Sequence, residues 1–208
     1  MPALPRPAAT LLLAFLSLTA CSSLGEYAYE RRRLAAVLPF AFTAAQKEFA
    51  PHADGLADAL AGALVRTGRL RLLERARVEA ALQELQLQQA GVTDGGTAAR
   101  LGKQLNAGAI VLGSVTAISV REESRSAKIA EKTTRIVDVE VEARVIDVET
   151  GELLGSSRGV GRAQSAEKHA FGGRIGSLAS PDALVQQALL GLGEKLARGL
   201  AASLPPKP

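Results

Sequence analysis

Gly155-Ser156-Ser157-Arg158-Gly159 spells the G-x-S-x-G signature of a nucleophilic serine. That chemistry needs the serine on a sharp strand-to-helix turn, with an imidazole and a carboxylate brought in from later in the chain. Here the motif falls inside a stretch that reads as one strand of a hairpin, and the only later histidine, His169, follows closely in a segment that reads as a loop. His52 and His169 are the two histidines and Cys21 the single cysteine, which leaves no metal set of ordinary spacing. Gly102-Lys103 lacks the preceding glycine spacing and the following Ser or Thr of a phosphate-binding loop. Asp138 and Glu140 alternate on one strand face, where carboxylates keep a sheet soluble more often than they catalyse. No catalytic residue, cofactor or metal is expected, and an enzyme is the least favoured class.

One residue does carry predicted chemistry. Leu18-Thr19-Ala20-Cys21 has the pattern of a bacterial lipobox, in which small residues precede a cysteine whose thiol takes a diacylglyceryl group before cleavage. Residues 1–20 fit the signal that such a site requires: one arginine, Arg6, then an apolar run from Ala8 to Leu18. That run is shorter than the ~20 residues a membrane span needs and matches a signal-peptide core. Lipidation also explains a lone cysteine in an exported chain, where a free thiol would otherwise be awkward. Ser22 and Ser23 follow with no Asp beside Cys21, which by the commonest sorting rule directs a lipoprotein to the outer membrane. Residues 21–33 then form a short polar tether ending in Arg31-Arg32-Arg33, diluted by Glu26 and Glu30 and read as a solvated lead-in.

The elements downstream alternate between strand and helix. Leu34 to Phe42 predicts a first strand that Pro39 ends or places at an edge, and Gly55 to Val65 predicts a helix with Leu56, Ala59, Leu60, Ala63 and Leu64 inward. The run RLRLLER supplies a strand through Leu70, Leu72 and Leu73. A helix from Val78 to Ala90, with Val78, Leu82 and Leu85 inward, is stopped by Gly91. Thr97 is the predicted cap of a shorter helix bearing Ala98, Leu101 and Leu105, and Asn106 to Gly108 is a turn. Ala109 to Val120 is the longest β-prone run. Arg121 to Thr134 is charged without clear periodicity, after which Val137, Val139, Val141, Ala143 and Val145 alternate with Asp138, Glu140, Glu142 and Arg144. Glu149-Thr150-Gly151 turns the chain into a partner strand from Glu152. Ser165 to Ser180 reads as a loop, and Pro181 opens a last helix, capped by Ser180, with Leu184, Ala188, Leu192, Leu196 and Leu200 inward.

The ordered set TGRLRLLER, LQLQQAGVTD and TAARLGKQLNAGAIVLGSVT resembles the core of the CsgG family, named for the curli secretion lipoprotein. The likeness begins at Leu34 to Phe40 and continues to the strand pair around Val137 to Leu154. It implies an α/β (α+β) fold: a single CsgG-like periplasmic domain over residues 34–204, with a mixed β-sheet packed by helices and a long C-terminal helix. It also implies a secretion channel, a ring whose subunits each insert two long β-hairpins into the outer membrane. In such a channel the loop after the first strand lines the pore with aromatic and amide side chains. Here Phe49 and Gln46 are the only residues that could play those parts, and Phe49 is read as covering the edge of the domain.

Membrane hairpins need one apolar face and aromatics at both interfaces. By simple parity, the candidate segment 121–134 and its flank place Glu122, Lys128 and Lys132 on one side and Arg121, Glu123, Arg125, Glu131 and Arg135 on the other. Residues 161–178 place Glu167 and His169 on a face with Phe171 and Ile175, and Arg162, Lys168 and Arg174 opposite. Neither side suits lipid. At a formal charge of +4, with 3% aromatics and basic residues interspersed with acids, nucleic-acid binding is also excluded as an expectation. The expected protein is a non-enzymatic lipoprotein, anchored at Cys21 on the periplasmic face of the outer membrane, that binds envelope or secreted protein partners in a curli-like secretion or surface-assembly system. It is a possible homo-oligomer. Two alternatives stay open: an oligomeric outer-membrane secretion channel, and a lipoprotein regulator of peptidoglycan synthesis.

Overall fold

The computed structural model describes residues 29–85, 94–127, 130–170 and 173–205. The first apolar run forms two strands. β1 (Arg33–Val37) ends before Pro39, which has no N–H for a ladder, and the chain rejoins the sheet as β2 (Ala41–Phe42). After these come α1 (His52–Thr67), β3 (Leu70–Leu72), α2 (Arg75–Glu84) and α3 (Gly95–Gln104). β4 (Ala109–Ala127) is parallel to β1 and β2, and β1 is parallel to β3. β5 (Ala130–Asp147), β6 (Leu153–Ala170) and β7 (Gly173–Ile175) add antiparallel strands, and α4 (Pro181–Ser203) follows. The result is a mixed seven-stranded sheet in the order β3-β1-β4-β5-β6-β7, with β2 beside β4.

Helices cover both faces of the sheet near its parallel end. On one face α1 and α4 pack against Val137, Val139, Val141, Ala143 and Val145, none more than 1% exposed, as their alternation predicts. Leu184, Ala188, Leu192, Leu196 and Leu200 form the inward stripe of α4. A fully buried leucine contributes about 1.5–3 kcal/mol, so this helix is a large part of what holds the domain together. On the other face α2 and α3 bury Val78, Ala81, Leu82, Ala98, Leu101 and Leu105 against Ile110, Leu112 and Ile146.

Several predicted boundaries shift for local reasons. The cap of α3 is Asp94, whose carboxylate accepts the Thr97 N–H at 2.8 Å, so Thr97 is the recipient of the cap. α2 ends at Glu84 and leaves Leu85 40% exposed where it was expected inward; Ala90 and Gly91 lie outside the described residues. Ser180 caps α4 as expected, accepting the Ala183 N–H at 3.2 Å. Two larger corrections concern the segments read as irregular. Arg121 to Thr134 is strand: β4 continues to Ala127 and β5 starts at Ala130. Ser165 to Ser180 is also mostly strand, since β6 runs to Ala170 and β7 spans Gly173–Ile175. The signal failed because both faces of these strands are wet, so no apolar alternation marks them.

Candidate interaction site

The residues of the G-x-S-x-G motif lie along β6, in regular antiparallel register with β5. Gly155, Ser157, Gly159, Gly161 and Ala163 share the face beneath α4, where small side chains let the helix come close. A Cβ at Gly159 would stand 2.9 Å from Leu192 Cδ2, and one at Gly161 would stand 2.8 Å from Leu192 Cγ and strike the Ala188 carbonyl oxygen. Ser157 sits directly against Gly199 of α4. The spacing is thus a packing stripe of period two, and the motif has no strand-to-helix turn. Gly102 is likewise a packing residue, with Val148 and Ile110 against its Cα.

The other singled-out residues resolve in similar terms. His52 Nε2 meets Asp182 Oδ1 at 2.7 Å and ties the start of α1 to the start of α4, whereas His169 Nε2 meets Glu167 Oε1 at 2.6 Å far along the sheet. The two histidines are therefore not brought together. Phe49 is 7% exposed and belongs to the core under α1, a deeper position than the domain edge expected for it. Gln46 precedes the short turn of 3-10 helix that holds Phe49 and is half-buried. Of the arginine cluster, Arg33 is the first residue of β1 and is paired with Asp147, and Arg32 lies over the Tyr29 ring at 5.7 Å. These two belong to the domain. Burial pushes the Asp147 carboxyl up, but the Thr150 and Glu149 N–H groups and Arg33 outweigh it and hold it below the usual carboxylate range. Cys21 lies outside the described residues.

What residue patterning did not mark, although the family resemblance implied long hairpins from these segments, is a projecting arm. β4, β5 and β6 stay paired beyond the helical layers, from about Ser119, Asp138 and Arg162 out to Ala127, Ala130 and Ala170. β4 past Val115 has β5 as its one strand neighbour among the described residues, and β6 before Lys168 has only β5. Segment 176–180 is strapped to the arm's base: Ser165 Oγ accepts the Ala179 N–H at 2.9 Å, and Arg135, which also pairs with Glu122, donates to the Ala179 carbonyl.

Register also corrects which residues share a face. Ala127 opposes Ala130, so the intervening two residues invert parity across the turn. Arg125 therefore faces the same way as Lys132 and Lys168, while Glu131 shares its face with Glu122, Arg135 and Glu167. Arg174 opposes His169 and pairs with Glu167 at 3.0 Å, so it lies on the Glu167 face and Ile175 on that of Lys168. Both faces remain polar after this reassignment, and charge at mid-bilayer is costly. Among the described residues no helix is long and apolar enough to cross a membrane, which says nothing of strands.

Where the arm leaves the domain, an ion-pair line crosses its three strands. Asp138 accepts from Arg162 Nε at 2.5 Å and from Arg121 Nη1 at 2.6 Å, and Glu140 accepts from Arg158 at 2.8 Å. The Arg162 hydrogen bond, opposed by burial and aided by Arg121, holds the Asp138 carboxyl below its ordinary value. A depressed carboxylate pKa adds stability above the unfolded value of about 3.9, and that stability is lost as pH falls through the lower folded value. Asp138→Asn should therefore cost on the order of 1 kcal/mol at pH 7 and clearly less at pH 2 in urea melts. An equal cost at both pH values would show that the charge is not responsible.

With this geometry in place, comparisons with known proteins are informative about family. A family model described as the curli production assembly/transport component CsgG matches residues 21–203. No curated protein sequence matches significantly. Solved structures similar to the chain include the LpoB C-terminal domain from Escherichia coli, at 17% identity over 62% of this chain and 81% of that one, with a TM-score of 0.44. Lipoprotein GNA1162 from Neisseria meningitidis is 18% identical over 77% and 91%, with a TM-score of 0.41. A PelC dodecamer from Paraburkholderia phytofirmans is 14% identical over 88% and 93%, with a TM-score of 0.35.

Proposed function

The chain belongs to the CsgG family, and from that membership we propose that it is a non-enzymatic envelope lipoprotein, anchored by Cys21 to the periplasmic face of the outer membrane, that binds protein partners in a curli-like secretion or surface-assembly system. The observation that carries this reading is the family match across residues 21–203, which takes in Cys21, the whole domain and the arm. The small-residue stripe under α4 supports it, because it accounts for the serine motif through packing alone. So does the arm, which offers partners two polar faces and open strand edges at a distance from the helices.

A second reading, an oligomeric outer-membrane channel, is favoured by strand length. β4 has 19 residues and β5 and β6 have 18 each, and their uncovered parts approach the 9–11 residues of a membrane strand. The charge on both faces of the arm opposes it. Sizing of the detergent-extracted full-length protein by mass photometry separates the two. A monomer or dimer is expected for the adaptor. A discrete ring-sized species with conductance in planar bilayers would replace the adaptor by the channel. Stimulation of glycan-strand synthesis by a purified synthase on adding the protein would replace it by a regulator of peptidoglycan synthesis.

A further inference from the structure

Near the tip of the arm, three cations stand in one line across three strands. Arg125 of β4 is the register partner of Lys132 of β5, and Lys132 is the register partner of Lys168 of β6. With neighbouring strands about 4.8 Å apart, the row spans roughly 10 Å. All three side chains are exposed, and none forms an ion pair among the described residues. The nearby acids are committed elsewhere: Glu123 lies 3.6 Å from Arg121, and Asp138 is shared by Arg121 and Arg162. Glu131 is on the opposite face.

Like charges directly opposite one another destabilise a sheet, so the row costs the arm stability. Protection of a sheet edge explains lysines on outer strands, but Lys132 is on β5, which is paired on both sides at this point. On the same face the next residues toward the tip are the small Ala127, Ala130 and Ala170, and Ile175 of β7 borders the row beside Lys168.

We propose that this row is a docking site for a carboxylate-bearing wall polymer, the cross-linked glycan–peptide whose stem peptides carry free carboxylates. Its choice over a lipid surface rests on the Cys21 anchor of the proposed function. β1 runs parallel to β4 with Ala35 beside Ala109, so the chain enters the domain at the end of β4 opposite the arm. The row lies about 50 Å further along the strand. The tether from Cys21 to Arg33 reaches at most about 40 Å. With its strands along the membrane normal, an orientation that is part of this proposal, the anchored domain holds the row away from its own bilayer and toward the wall.

The test is co-sedimentation of the mature chain, made with Cys21→Ser so that no lipid enters, with purified peptidoglycan sacculi. Sacculi should retain the protein at low salt and release it at high salt. Joint Arg125→Thr, Lys132→Thr and Lys168→Thr substitution should weaken retention by about tenfold or more. Its melting temperature should stay the same or rise, because repulsion is relieved and threonine suits a strand. Joint Lys47→Ser, Lys103→Ser and Arg198→Ser substitution, which removes the same charge elsewhere, should leave retention intact. Sacculi with amidated carboxylates should not bind. Equal loss in both triple variants, or no loss in the first, overturns the site. Stronger binding to phosphatidylglycerol-containing vesicles than to sacculi overturns the choice of partner. Because no lipid anchor is present, these outcomes do not depend on whether Cys21 is acylated.

Discussion

Gly161→Val should destabilise the domain by roughly 3 kcal/mol, although valine is otherwise a favoured strand residue. The new side chain would begin 2.8 Å from Leu192 Cγ and against the Ala188 carbonyl oxygen. A leucine tip can rotate away, but the backbone of a 23-residue helix moves only as a unit. α4 would have to lift from β5 and β6, which separates Leu184, Ala188, Leu192 and Leu196 from the valines beneath them. Typical domains are stable by only 5–15 kcal/mol, so a loss of this size should be plain in urea melts followed by circular dichroism. Gly191→Ala on the exposed side of the same helix is the matched control. Its Cβ meets nothing within 4 Å, and alanine in place of glycine should stabilise by up to about 1 kcal/mol. A Gly161→Val protein within 1 kcal/mol of the parent would refute the packing role given to the stripe.

Cys21→Ala should convert a membrane-bound protein into one recovered in the soluble fraction. The effect is close to all-or-none, because the acyl chains are the only proposed membrane anchor. Intact-mass measurement of the parent should show the added lipid and cleavage before residue 21, and the soluble variant should have lost its apolar leader and carry no lipid. A variant that stays with the membranes after a salt wash would mean that the domain binds them by itself. Combined with the Gly161→Val result, this separates anchoring from folding: one substitution releases a folded domain, and the other weakens the fold of a tethered one.

Much of the covered part of the fold was legible in the sequence because burial imposes a period. Val137 to Val145 sit on one face of β5 and Leu184 to Leu200 on one face of α4, as their spacing requires, since a misplaced apolar residue there would face water. Ser180, Pro181 and Gly151 mark their turns and caps by local backbone chemistry, which distant residues scarcely alter. Thr97 was assigned the role of Asp94 because several nearby residues could cap, and the choice depends on where the helix is held by Leu101 and Leu105.

The arm shows the other limit. Arg121 to Thr134 and Ser165 to Ile175 carry no hydrophobic period, because both their faces are exposed, and so their strands could not be read from alternation. Parity counted along the chain also put Arg125 with Glu131, whereas a two-residue connection inverts the count and aligns Arg125 with Lys132 and Lys168. Similarly, the glycines of G-x-S-x-G look catalytic in one dimension and are spacers once α4 lies over them. By itself the sequence determined the family and the elements whose faces are buried, because these depend on composition and local order. Only tertiary structure decided which charges meet across strands and which small residues touch a helix, because hydrogen-bond register and helix docking join residues that the chain itself keeps far apart.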